Sequence, residues 1–378
     1  MEKYNKTIRF LFKMHNFLCL NLTNHTKCIF LIKILFTFSA MASILKNFQK
    51  EVKNLRWGFV GTGKIAQRIM EAFELVPEAE VVAAYSRNIK AMQEFCNQWK
   101  IPKQYGTVEE LVNDPEVDIV YLATPHIVHY EHTMKALQAG KHVLCEKPIA
   151  MSERETQGMV DLAREKGVFL MEALWSRFFP IAVWLRELID SGKMGKVSNV
   201  MADFSYQAEY DPEYRFFKKE LGGGAMRGAG IYPLSMAAMV FGEIPCEIKA
   251  MAETRNGVDL RSSALLRFPC GGTAQIYTGF QSESVWAANI AFEKGAVYIP
   301  NFWHPDRAYI IRDGEAVETV EMPFTFPGFQ FEIIETIKCI QAGRTECSVM
   351  PLDESVALAG VIDEMYRQWD VEGTERLR

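Results

Sequence analysis

The sequence predicts an α/β chain in which a doubly wound parallel sheet is followed by an α+β half with a largely antiparallel open sheet. Three observations lead there. An apolar run, Leu55 to Val60, breaks into glycines and then into a helical pattern. From Ala79 to Ala173, strand-like and helix-like stretches alternate, as parallel crossovers require. After Gly192, strand-like segments follow one another with few helices between them, which means antiparallel neighbours.

Arg56 to Val60 reads as a buried strand, and Gly61, Gly63 and Ala66 follow it in the spacing G-x-G-x-x-A before a helix over Ile65 to Leu75. The first glycine allows the tight turn and the second removes a Cβ where a pyrophosphate would approach. The small third residue lets the helix pack on the strand, so its free N–H groups face the phosphates. Gly61, Thr62, Gly63, Lys64, Ile65 and Ala66 are therefore the expected dinucleotide turn of a Rossmann sheet. The next strand, Ala79 to Ser86, ends in Ser86-Arg87-Asn88, where an NAD-specific site would place a carboxylate. A hydroxyl and a guanidinium suit a 2′-phosphate, so NADP is expected over NAD.

Helices over Ile89 to Trp99 and Val108 to Asn113 lead to a strand, Val117 to Thr124. Thr124-Pro125 ends it on the carboxyl edge, where ligands of such sheets bind, and His129 follows at the start of a helix over Tyr130 to Ala139. A strand from His142 to Cys145 runs into Glu146-Lys147-Pro148, and a helix, Glu153 to Lys166, and a strand, Val168 to Ala173, complete the sheet. A lysine at that edge would lie beside a nicotinamide and could hold a substrate hydroxyl. Later strands are expected at Val197–Tyr206, Cys246–Glu253, Ser263–Phe268, Gly272–Phe280, Trp286–Phe292 and Ala296–Ile299, and helices at Phe329–Cys339 and Leu352–Trp369. Asn301 to Pro305 reads either as an aromatic wall or as a surface loop.

Composition bounds the function. A chain of 378 residues is long enough for about two domains. The expected division is an N-terminal extension over 1–50, a nucleotide domain over 53–174 and an α+β domain over 175–378 that binds substrate and self-associates. A net charge of −5 with no basic run in the body excludes a nucleic-acid footprint. The eight cysteines show neither C-x-x-C nor Cys/His ligand spacing, so no metal is expected and the thiols read as reduced, as in the cytoplasm. Residues 3–50 hold no acidic residue, and the apolar run Cys28 to Ala40 is interrupted by Lys33 and too short to span a membrane. Translation beginning at Met41 is the favoured reading of this segment, with organellar import and secretion left open.

The order Gly61-x-Gly63-x-x-Ala66, Thr124-Pro125-x-x-x-His129, Glu146-Lys147-Pro148 resembles the Gfo/Idh/MocA oxidoreductases, and the similarity runs from about Leu55 to Trp369. The string Met171 to Pro180 resembles the dihydrodiol and D-xylose dehydrogenase branch of that family more than the inositol dehydrogenase branch. The resemblance implies an NADP-dependent dehydrogenase acting on a CH–OH group of an aldose or a cyclic trans-dihydrodiol. It also implies a homo-oligomer, with a dimer favoured, and no nucleic acid or membrane partner. Lys147 and Tyr232 become the expected catalytic pair, Tyr232 removing the hydroxyl proton and Lys147 lowering its pKa. Thr124, Pro125, His129, Glu146 and Lys147 join the cofactor site, and Trp175, Arg177, Phe178, Arg227 and Tyr232 the substrate site. The family commonly has an aspartate four residues before Tyr232, where this chain has Gly228. That departure keeps two alternatives in view: an inositol- or nucleotide-sugar-type dehydrogenase, and an inactive cofactor-binding sensor.

Overall fold

The structure, a computed structural model, describes residues 54–369, so the expectations for residues 1–50 lie outside the described residues. Strand β1 (Leu55–Val60) leads through the glycine turn into α1 (Lys64–Phe73). The helix forms because Ala66, Ile69, Met70 and Phe73 fall on one face, and all four are buried. Phe73 meets Trp57 and Phe59 of β1 edge-on, with ring centroids 5.0 and 5.2 Å apart. Next come β2 (Ala79–Tyr85), α2 (Ile89–Trp99), β3 (Lys103–Tyr105), α3 (Val108–Val112) and β4 (Ile119–Leu122). Asn88 caps α2 by accepting from the Ala91 N–H, and Thr107 with Glu110 closes a capping box on α3.

The chain continues through α4 (His129–Gln138), β5 (His142–Glu146), α5 (Glu153–Lys166) and β6 (Leu170–Ala173). These strands form a six-stranded sheet in the order β3-β2-β1-β4-β5-β6, with every pair parallel. Order reverses between β1 and β4, and that switch point opens a crevice at their carboxyl ends. Along β4, Ile119 and Tyr121 pack into one apolar cluster and Val120 and Leu122 into another, so helices cover the sheet on both faces.

Helix α6 (Pro180–Asp190) then leads to β7 (Val197–Ser205), a π-helical turn at Met226–Gly230, and α7 (Ile231–Phe241). Strands β8 (Glu247–Arg255), β9 (Val258–Arg267), β10 (Thr273–Gly279), β11 (Ala288–Phe292), β12 (Gly295–Ile299), β13 (Arg307–Arg312) and β14 (Glu315–Glu321) follow. They form an eight-stranded sheet in the order β14-β13-β12-β11-β7-β10-β9-β8, antiparallel except where β7 pairs β10. Helices α8 (Gln330–Gln341) and α9 (Leu352–Gln368) close the described residues. Sequence periodicity missed β3, β13 and β14. β3 has three residues, and all but one residue of β14 is exposed, so neither carries an apolar alternation.

Candidate active site

The glycine turn meets the physical requirements of a phosphate cradle. Gly61 has φ +104°, and a Cβ there would lie 2.7 Å from the Ala123 carbonyl oxygen, so only glycine fits between β1 and the end of β4. A Cβ on Gly63 would meet nothing within 4 Å, which leaves open space in front of α1. Gly63 caps α1 with no side-chain hydrogen bond, so the helix's first N–H groups face that space. Thr62 and Ala66 are buried beneath the turn, Lys64 is exposed beside it, and Ile65 lines the cleft described below. Ser86 and the exposed Arg87 stand at the end of β2, and Arg87 forms no ion pair among the described residues. Thr124, next to Pro125, has a buried Oγ1 without a hydrogen-bond partner, a polar atom aimed at the same carboxyl edge. Together these features fit a dinucleotide.

His129 does something else. Its buried ring holds Nδ1 2.9 Å from the Pro148 carbonyl and Nε2 2.9 Å from the Thr124 carbonyl. Burial pushes its pKa down. Both nitrogens face backbone oxygens and the neutral ring donates to one of them, so His129 ties the β4 and β5 edge loops together rather than facing a cofactor, contrary to the expectation.

Where those loops meet the eight-stranded sheet, a cleft of about 240 Å³ opens. Thr124, Glu146, Lys147, Trp175 and Tyr232 line it, as do residues not expected from the sequence, among them His126, Phe204, Arg68 and Arg215. Glu146 is buried and accepts a 2.5 Å hydrogen bond from the Tyr121 hydroxyl. Burial raises its pKa. The Lys147 ammonium donates to the Gly228 carbonyl at 2.6 Å and lies 4.5 Å from the centroid of the Tyr232 ring. Burial, opposed by Glu146, lowers the Lys147 pKa to about 8.

Tyr232 stands on the first turn of α7, and its hydroxyl oxygen accepts from Trp175 Nε1 at 2.9 Å. Burial and the Glu146 charge raise the Tyr232 pKa, with the Trp175 hydrogen bond opposing them. In this cleft the lowered pKa belongs to Lys147 rather than to Tyr232. An aromatic wall backs the pair. Trp175 stacks on Phe329 at 3.9 Å, and Phe204 contacts Trp303 at 5.1 Å and Tyr232 at 5.4 Å. Trp303 thus belongs to the cleft rather than to a surface loop.

Gly228 explains the missing aspartate. A Cβ there would come 3.1 Å from Phe280 Cζ, so a side chain at 228 would press on an aromatic ring that already fills the space. The glycine carbonyl faces Lys147 instead. The π-helical turn around it is braced by the buried Asp259, which accepts from the Met226 N–H at 2.7 Å and the Tyr366 hydroxyl at 2.5 Å. An isolated carboxylate in a strand pattern carries no local signal for that role.

Three expected substrate contacts lie elsewhere. Arg177 is buried, donates to Ser235 Oγ at 2.6 Å and to the Ser235 carbonyl at 2.9 Å, and pairs with Glu354. Phe178 is buried in the core, and Arg227 donates to the Met151 carbonyl with its guanidinium 4.1 Å from the Tyr366 ring centroid. None of the three lines the cleft. Aromatic and arginine residues read as a sugar site are here interior packing and a buried ion pair.

A parallel sheet of this strand order, with a glycine turn and a lysine–tyrosine cleft at its carboxyl edge, defines a Rossmann oxidoreductase that binds NAD(P). The model of the oxidoreductase family with an NAD-binding Rossmann fold matches residues 55–174, and that of the GFO/IDH/MocA C-terminal domain matches residues 183–298. The chain belongs to the GFO/IDH/MocA family. It is 36% identical over 324 residues to trans-1,2-dihydrobenzene-1,2-diol dehydrogenase of Danio rerio, covering 83% of this chain and 96% of that one. It is 30% identical to the D-xylose 1-dehydrogenase (NADP(+)) of Hypocrea jecorina, covering 84% and 92%. Among solved structures, the aldose-aldose oxidoreductase of Caulobacter crescentus complexed with glycerol superposes with a TM-score of 0.77 at 27% identity, covering 83% of this chain and 97% of that one. Among the described residues no helix is long and apolar enough to cross a membrane.

Proposed function

We propose that this enzyme moves a hydride between NADP(H) and the carbinol or carbonyl carbon of an aldose or a cyclic trans-diol. The observation that carries the reading is the meeting of Lys147 and Tyr232 on one small cleft at the end of β5. When the dinucleotide is bound, its nicotinamide would supply the hydride acceptor or donor. The turn from Gly61 to Ala66 would hold its pyrophosphate, and Ser86 with Arg87 a 2′-phosphate. Relatives named for trans-dihydrodiols and for NADP-dependent D-xylose oxidation support the cofactor and substrate class.

The chain's own groups divide the proton work. Lys147 donates one N–H to Gly228, which leaves two for a substrate oxygen. Tyr232 accepts from Trp175, so its own O–H is free to point into the cleft at that oxygen. With its raised pKa Tyr232 keeps its proton and donates a hydrogen bond to that oxygen in both directions. Lys147, with a pKa of about 8, is the group nearest neutrality: it takes the hydroxyl proton in oxidation and returns it to the carbonyl oxygen in reduction. The aromatic wall receives the C–H face of the ring and excludes water. We further propose that two copies pair through the outer face of the eight-stranded sheet, where Met201, Leu265 and Met251 are 52%, 58% and 80% exposed.

The test is NADPH formation against a panel of D-xylose, D-glucose, inositol and trans-benzene dihydrodiol. Turnover of the first two or the last supports the reading. Preference for inositol moves the substrate class, and tight NADP binding without turnover on any of them overturns the enzymatic assignment.

A further inference from the structure

The last turns of α8 carry a side-chain cluster that the reaction does not use. Glu335 and Cys339 are four residues apart on the helix and so share one face. Gly343, at φ +68°, then reverses the chain, and the Arg344 N–H donates to the Cys339 carbonyl at 2.9 Å. The reversal brings Cys347 back against Cys339. The two sulfurs and a Glu335 carboxylate oxygen all lie within 4.8 Å of one another. Both cysteines are buried and unpaired, while the Glu335 side chain is 22% exposed and faces the rim. Cys339 Sγ lies 3.7 Å from Glu335 Oε1 as a weak donor.

We propose that Glu335, Cys339 and Cys347 form a binding site for a thiophilic divalent cation of the zinc type. Two sulfurs with a carboxylate select a borderline-soft ion over magnesium or calcium, which require a shell of oxygens. Ligands about 2.3 Å from a common tetrahedral centre stand roughly 3.8 Å apart. Small side-chain rotations close that gap from the present spread. Two thiolates and a carboxylate carry three negative charges against the ion's two positive ones. Lys338 Nζ, 3.7 Å from Glu335 Oε2, and Arg344 Nη2, 3.6 Å from Oε1, face the surplus. A fourth ligand would come from solvent, which reaches the cluster beside the partly exposed Glu335.

None of these residues lines the catalytic cleft, so the ion is structural. It would clip the end of α8 to the following loop, whose Thr345 carbonyl accepts from the Leu170 N–H of β6 at 3.1 Å. The edge of the nucleotide sheet would thereby be held to the C-terminal helices.

The experiment titrates the reduced, metal-free full chain with Co2+ and follows the thiolate-to-cobalt charge-transfer and tetrahedral d–d bands. One equivalent per chain is expected, displaced by Zn2+, with Zn2+ raising the melting temperature. Cys347→Ser should abolish the charge-transfer band and the thermal shift. Glu335→Gln, which keeps the size of the side chain at a partly exposed position, should weaken cobalt binding by at least ~10-fold. Turnover at the cleft should be unchanged in both. Absence of the bands at stoichiometric cobalt overturns the proposal, as do bands unaffected by Cys347→Ser or a midpoint unmoved by Glu335→Gln. A Cys339–Cys347 disulfide in untreated protein that binds no cobalt after reduction also overturns it.

Discussion

The two sheets are finished differently. In the six-stranded sheet, alternate residues of each central strand enter separate apolar clusters, and both faces lie under helices. In the eight-stranded sheet the alternation is one-sided: Ala264 and Leu266 of β9 are 3% and 2% exposed, while Leu265 between them is 58% exposed. A sheet covered on both sides can offer ligands only its edge, and the parallel sheet does so at its switch point. A sheet covered on one side has a whole face to spare. Its inner face supplies Tyr232's surroundings, and its outer face exposes Met201, Leu265 and Met251 where water would favour polar residues. Cofactor binding, chemistry and association should therefore be separable by substitution.

The largest effect tests the junction of the two sheets. Lys147→Met and Tyr232→Phe should each lower turnover by ~10²–10⁴ while NADP still binds, measured by steady-state kinetics and by quenching of protein fluorescence. The pH profile assigns the roles. Lys147 is neutral above about 8, so kcat/KM for oxidation should rise with pH and level off there. Tyr232→Phe should keep that limb at a lower plateau, whereas Lys147→Met should lose it. A limb that vanishes in Tyr232→Phe instead would return the base role to the tyrosine.

Next in size is a change on the covered side that leaves the chemistry alone. Arg177→Met removes the cation from a buried pair and strands Glu354, which should cost about 3 kcal/mol of stability. Urea denaturation reads the loss, and kcat of the folded variant should stay within ~3-fold of the parent. A hundredfold fall in kcat with unchanged stability would place Arg177 back in the substrate site.

On the parallel sheet, Arg87→Asp should raise the KM for NADP by ~10–100-fold, the worth of a charge-assisted contact of about 1.5–3 kcal/mol. The KM for NAD should fall or hold, and equal effects on both cofactors would remove the 2′-phosphate from the argument.

Legibility followed the same division. The glycine turn, Thr124 and Glu146-Lys147 were readable because each is a local consequence of where a strand ends, and local spacing is what a sequence displays. The aromatic wall is assembled from Trp175, Phe204, Trp303 and Phe329, which share no spacing and meet only through the topology. Arg177 misled because an arginine among aromatics looks alike whether its partner is a sugar or Glu354, 177 residues away in the chain. The consequence of Gly228 was hidden in a ring 52 residues later, since a Cβ at 228 would press on Phe280.

The smallest effect on the fold should come from the open face, and it sharpens the contrast most directly. Leu265 lies across from Gln275 on β10 and Lys249 on β8, and Gln275 lies across from Met201 on β7, so these side chains form one row over four strands. A lysine at 265 would move charge from the edge of that row, where Lys249 stands, to its middle between Gln275 and Lys249, where pairing with a second copy would have to desolvate it. In a free chain the same lysine would be solvated, and an exposed substitution of this kind should alter stability by no more than ~0.5 kcal/mol. Leu265→Lys should therefore sediment as a monomer at concentrations where the parent sediments as a dimer, with NADP binding and far-UV circular dichroism unchanged. A parent that sediments as a monomer, or a variant that remains a dimer, would assign the exposed Met201 and Leu265 to something other than self-association.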